Sequence, residues 1–277
     1  MSVEYKRAGV ARSPSGNIWA DCPILAFEKD PGKGIHFWED FLGNFTANAV
    51  EQIGPQGLLV VGTNPDTAVV TDEETVVNIS GSGAGNDEAF LVSNLLCNEA
   101  IKMNSGRRVW LEARCKMDDT SADVTFLCGL GEASLMAADA LANEGASRNN
   151  IADYDFIGFH TDNDGTNQTY LETCYHQDGD GGAVTAVQAT VRDFNSTTYD
   201  DTYMKLGFKF DGIKTVTFYL DGAKLGTTLD IDDLTSNKLD DALGIIIGIK
   251  DLAGGNDDLK IDWIRFAADN YDQGIVG

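Results

Sequence analysis

Apolar and polar positions alternate along most of the chain, most clearly in YMKLGFKFDGIKTVTFYLDGAKLGT, residues 203–227. Met204, Leu206, Phe208 and Phe210 fall on one face, and Tyr203, Lys205 and Lys209 on the other. That is the period of a strand, whose successive side chains point to opposite sides of a sheet. Val216, Phe218 and Leu220 repeat the pattern in the next strand. Asp221-Gly222 predicts a tight hairpin into a third, since a type I′ turn needs φ > 0 at both central positions. Similar strands are predicted at 57–61, 66–71, 75–80, 88–93, 107–117, 123–131, 154–160, 169–176, 183–194, 244–250 and 259–267. GIIIGIK (244–250) is apolar on both faces, as in a central strand. EASLMAADALANEG (132–145) breaks the rhythm, and its Ala, Leu and Met content predicts a short helical insertion ended by Gly145. Many short strands with one minor helix define an all-β, two-sheet antiparallel sandwich.

Residues 1–35 lack this periodicity and are expected to form an extended N-terminal arm, with the sandwich domain spanning 36–277. Through residue 20, Lys6, Arg7 and Arg12 stand against Glu4, a net of +2. The whole chain has 44 acidic and 20 basic residues and a net charge of −24, so the remainder carries −26. A basic arm on an acidic body suggests a docking segment, and the competing reading is a strap wrapped on its own body. Such acidity repels phosphate backbones, so nucleic acid is not an expected partner. It also keeps crowded molecules apart, and adaptation to a salty medium explains it equally well. The N-terminus shows no apolar run of a signal peptide. The apolar stretches around GLLVVG and GIIIGI are too short to cross a bilayer, so no membrane partner is expected.

FWEDF, VWLEARCKM, YDFIGFHTDNDGT, YMKLGFKFDGIKTVTFYLDG and the terminal LKIDWIRF occur here in the order seen in the concanavalin A-like lectin/glucanase superfamily. The chain resembles that jelly roll over roughly residues 36–268. Within it, DYDFIGFHTDNDG followed by LGFKFDG is similar to structural proteins of tailed bacteriophage virions, often capsid decoration or cement proteins. The resemblance implies a non-enzymatic virion protein on the capsid surface, made in the host cytoplasm. Its partners would be the major capsid protein and neighbouring copies of itself, in an oligomer such as a trimer. Lys6, Arg7, Arg12, Trp19 and Phe27 of the arm are the candidate capsid- and subunit-binding residues.

Glucanases of this fold carry Glu-x-Asp-x-(x)-Glu, because two carboxylates must flank the glycosidic bond. No such run occurs here; Asp153 and Asp155 come nearest and lack a third carboxylate. No catalytic residue is therefore assigned and no enzyme is expected. Asp162 and Asp164 in one turn, and Asp178 and Asp180 in another, are weak calcium candidates. Counting His176 as position one of an EF-hand loop puts Gly181 correctly at six but Val187 where the bidentate Glu belongs, and Asp-Gly is ordinary turn chemistry. His36, His160 and His176 show no paired ligand spacing. The five cysteines, Cys22, Cys97, Cys115, Cys128 and Cys174, show no CxxC and are expected to be reduced. No cofactor is expected. The alternative to a capsid protein is a lectin-like module of a virion tail or fibre that binds a host glycan, with Trp110 and Tyr175 as its aromatic platform.

Overall fold

The computed structural model describes residues 12–41, 52–53, 58–62, 65–70, 76–81, 87–93, 101–103, 106–117, 124–132, 135, 140–141, 151–163, 169–179, 184–193, 202–234, 239, 241–251 and 258–269. Two short helices open it, α1 (Gly16–Trp19) and α2 (Ile24–Lys29). Strands follow as β1 (Gly34–Glu39), β2 (Gln52–Ile53), β3 (Leu58–Val61), β4 (Pro65–Val70), β5 (Val76–Gly81), β6 (Asp87–Ser93), β7 (Val109–Met117) and β8 (Val124–Glu132). The remainder are β9 (Phe156–Asn163), β10 (Thr169–His176), β11 (Thr185–Asp193), β12 (Met204–Phe210), β13 (Thr215–Leu220), β14 (Ala223–Asp230), β15 (Leu243–Asp251) and β16 (Asp258–Asp269).

They form two eight-stranded antiparallel sheets packed face to face. The first runs β14-β13-β12-β7-β16-β5-β4, and the second β11-β10-β9-β8-β15-β6-β3-β2. β16 is long enough to serve two neighbours on one side: residues 258–261 pair with β5 and 264–269 with β1. This is the sandwich expected from the alternation. Val109, Leu111, Ala113 and Cys115 of β7 and Met204, Leu206, Phe208 and Phe210 of β12 all enter the core between the sheets. β15 lies between β6 and β8, the central place its two apolar faces require. Asp221 (φ 52°) and Gly222 (φ 80°) make the hairpin turn as their residue types predict.

Of the segment 132–145 the structure describes Glu132, which ends β8, Leu135, which is 3-10 helical, Ala140, and Leu141, which forms a β-bridge with Ile151. Leu135, Ala140 and Leu141 bury against the outer face of the second sheet, and the rest of the helical insertion expected there lies outside the described residues. One expectation is corrected: the arm is not extended over its described residues. Residues 12–33 fold back as a strap across the outer face of the first sheet, because Ile18, Trp19 and Phe27 find an apolar seat there with Trp110 and Tyr219.

Candidate functional site

The first sheet turns a face of alternating charge and aromatic rings toward the strap. β7 contributes Trp110, Glu112, Arg114 and Lys116, opposite in parity to its core residues. β16 contributes Asp262, Trp263 and Arg265. A register shift between Ile261 and Trp263 marks a bulge, so Asp262 and Trp263 stand together opposite Arg114. The bulge also switches parity: Leu259 and Ile261 point inward before it, and Ile264, Phe266 and Ala268 after it.

Each strap residue meets a specific receptor. Ile18 seats over Gly207, where an added Cβ would lie 2.7 Å from its Cδ1. Trp19 Nε1 and Ser15 N both donate to Glu112 Oε2, at 2.8 and 3.0 Å. Glu112 is fully buried, and its Oε1 has no hydrogen-bond partner. The Arg265 guanidinium lies 4.3 Å from the Trp19 ring centroid and 4.7 Å from that of Trp38, a paired cation–π contact. Arg12 Nε donates to Asp262 Oδ1 at 3.0 Å, and the buried Arg114 to Asp262 Oδ2 at 2.5 Å. Trp263 Nε1 donates to the Arg12 carbonyl at 2.6 Å. Arg114 also stacks 3.7 Å over Tyr203. At the far end, Asp21 accepts from Trp110 Nε1 and from Lys209 Nζ, each at 3.1 Å.

The expected binding residues are thus redistributed. Arg12, Trp19 and Phe27 bind the chain's own sheet; Lys6 and Arg7 lie outside the described residues. Trp110 retains 1% exposure beneath the strap, so it is no platform for a sugar. Tyr175 is half-buried on β10 of the other sheet and packs toward the inter-sheet core, so the two rings share no surface. Asp178 is exposed, and its N–H donates to Asp155 Oδ1 at 3.1 Å. The side chain of Asp162, and all of Asp164 and Asp180, lie outside the described residues. Among the described residues no three His, Cys, Asp or Glu side chains are grouped to hold a metal ion. Asp153 and Asp155 organise turns: Asp153 Oδ1 accepts from Gly179 N at 2.9 Å, and the buried Asp155 also accepts from Asp241 N at 3.2 Å.

The second sheet is covered likewise. Buried Lys250 donates to Glu88 Oε1 at 2.8 Å and to the Leu141 carbonyl at 2.9 Å. Glu88 in turn accepts from Ala140 N and Leu141 N at 3.1 and 3.0 Å. Cys22, Cys115, Cys128 and Cys174 are free thiols, and Cys97 lies outside the described residues. Burial pushes the Cys22 and Cys115 thiols up to about 12.

Partial burial acts to raise the Asp21 pKa, but the hydrogen bonds from Trp110 and Lys209 and the Lys209 charge outweigh it and hold the carboxyl below the usual aspartate range. A depressed folded value contributes stability that is present above the unfolded value and is lost as pH falls through the folded one. Acid should therefore loosen this end of the strap. Tryptophan fluorescence titrated from neutral to acid pH should show a transition that Asp21→Asn diminishes, and superimposable curves refute the anchor.

No protein-family model matches the chain, and no curated protein matches its sequence. Its fold, however, recurs among solved structures. Peanut lectin aligns with a TM-score of 0.50 at 13% identity, over 85% of this chain and 97% of that one. A glycoside hydrolase family 16 endo-glucanase from Bacteroides ovatus aligns with a TM-score of 0.51 at 14% identity, over 83% and 99%. A protein of unknown function from Shewanella oneidensis gives 0.50 at 14% identity, over 86% and 87%. The class is accordingly the concanavalin A-like jelly roll, and at these identities the likeness concerns fold alone.

Proposed function

We propose that this chain is a non-enzymatic structural protein of a bacteriophage virion, a decoration protein on the capsid surface. The observation that supports this reading is the covering of both sheets by the chain's own segments, the strap on one and Leu135, Ala140, Leu141 and Ile151 on the other. A body whose sheet faces are covered in this way offers shape and rim surfaces, which suits a protein that stabilises a shell by burying area at its joints. Binding only the assembled state stabilises it by mass action, and many copies on one lattice add multivalency. The charge of −24 keeps decorated particles apart. With Arg12, Trp19 and Phe27 occupied by the chain's own sheet, attachment falls to other surfaces.

Purified protein should co-sediment stoichiometrically with shells assembled from the major capsid protein of the same genome. Protein that stays in the supernatant yet lights up a glycan array identifies a lectin-like module instead. No β-glucan should be hydrolysed. Asp155→Asn should act on stability, because one carboxylate oxygen that now accepts an N–H becomes a donor facing it. A loss of about 1–3 kcal/mol is expected in denaturant unfolding. Glucan turnover that disappears in the mutant overturns the reading.

A further inference from the structure

β1 carries two of the large apolar side chains left exposed among the described residues, Ile35 at 40% on its inward face and Trp38 at 39% on its outer face. Leu25, 70% exposed, lies on the neighbouring α2. β1 pairs with β16 along one edge and has no strand on its other edge among the described residues. A cavity of about 180 Å³ opens between the sheets at the same strand. Ile35, Phe37 and Phe266 line it from one side and Leu58, Ile101 and Ile245 from the other. For comparison, an apolar cavity of about 150 Å³ is large enough to take a benzene ring.

The opposite rim of the sandwich is finished differently. There Gln188 of β11 reaches across to accept from Thr227 N of β14 at 3.1 Å, and Arg192 of β11 pairs with Asp221 at the β13–β14 turn. Those two edges cap one another. β1 instead presents a backbone edge unpaired among the described residues, apolar side chains and a hole sized for one more.

We propose that this edge is a docking site for an extended segment of a partner protein, which adds a strand to β1 and buries one large apolar side chain in the cavity. Main-chain hydrogen bonds supply affinity in such strand addition, and the pocket supplies selectivity. Charge selects the partner. On the elements that carry the patch, Glu28, Asp30 and Asp40 are offset by Lys29, Lys33 and the Arg265 guanidinium over Trp38, so local charge balances and the field of the whole chain decides. At −24 it opposes a second copy and favours a segment with basic flanks. The inference refines the proposed shell-surface role and rests on it only for the partner's identity.

The test uses full-length protein and a decapeptide of alternating Val and Thr with one central Phe and terminal Lys residues, alongside versions with Phe→Ala or Lys→Glu. Binding is followed by amide chemical shifts and by Trp38 fluorescence. Binding should map to β1, weaken at least tenfold with the Ala peptide, weaken with the Glu peptide, and be lost in Ile35→Asp. Ile35→Asp is a change at a half-exposed side chain. Ile245→Phe fills the cavity and should weaken the Phe peptide far more than the Ala peptide. Equal affinity for Phe and Ala peptides, shifts at β11 or β14, or unchanged binding by Ile35→Asp overturns the site. So does concentration-dependent dimerisation that Ile35→Asp abolishes, which assigns the edge to a second copy. If wild type and Ile35→Asp co-sediment equally with capsid shells, the site is wrong and the virion role stands. If wild type fails to co-sediment but binds the peptide as described, the site stands and the virion role falls.

Discussion

Asp262→Ala will destabilise the protein by about 3–5 kcal/mol, the range for removing one partner of a buried ion pair. Arg114 and Asp262 are both fully buried, 2.5 Å apart, and Arg12 closes the other carboxylate oxygen. Removing the carboxylate takes away the buried charge that sits 2.5 Å from the Arg114 guanidinium, and the stacking on Tyr203 does not replace it. Arg12→Ala should cost far less, because that side chain is 39% exposed and its pair is partly screened. Denaturant unfolding of the two variants tests the order. Equal losses, or an Asp262→Ala change under about 1 kcal/mol, would remove the ion triad from the account of stability.

The second large effect is loss of the strap. Trp19→Ala alone should cost about 3–5 kcal/mol, as for other buried aromatic truncations. It also strips one of the two donors from Glu112 Oε2 and one ring from Arg265. Deleting residues 1–33 should cost more, because it bares Trp110, Glu112 and Arg114 together. A fall in Tm on the order of 10 °C or more is expected at about 2–4 °C per kcal/mol. On sequence grounds the arm has no period-2 pattern and contributes little to the core, so its deletion is expected to leave melting nearly unchanged. The burial of Ile18, Trp19 and Phe27 reverses that expectation. Leu25→Ala, 70% exposed on α2, is the control and should change stability by no more than about 0.5 kcal/mol. A truncated protein that melts with the full-length one would return the strap to the status of a free arm.

The sandwich was legible because alternation is a local signal. Each of β7, β12, β13 and β15 carries its inward face in its own residues, and Asp221-Gly222 names its turn. The covered face was not legible for the same reason. Trp110, Glu112, Arg114 and Lys116 have the composition of a wet face, and only a segment remote in sequence makes them interior. Two hints were present. Gly207 falls between Lys205 and Lys209 on the polar face of its strand, and a glycine inside a strand marks a close approach, here by Ile18. LKIDWIRFA also changes parity between Ile261 and Ile264, the trace of the bulge that aims Asp262 and Trp263 at the strap.

The strap also sets a timetable. Its receptors lie far downstream: Ser15 meets Glu112 across 97 positions, and Arg12 meets Asp262 across 250. At ribosomal rates of about 5–20 residues per second, the first segment to emerge waits roughly 12–50 s for the strand that completes its berth. Until Trp110, Gly207 and Tyr219 have followed, Ile18, Trp19 and Phe27 lack their native surface, and transiently exposed apolar surface invites wrong contacts. Closure of the strap is therefore a long-range event that must follow synthesis of β16, and it reports that the chain has been made through to its last described strand.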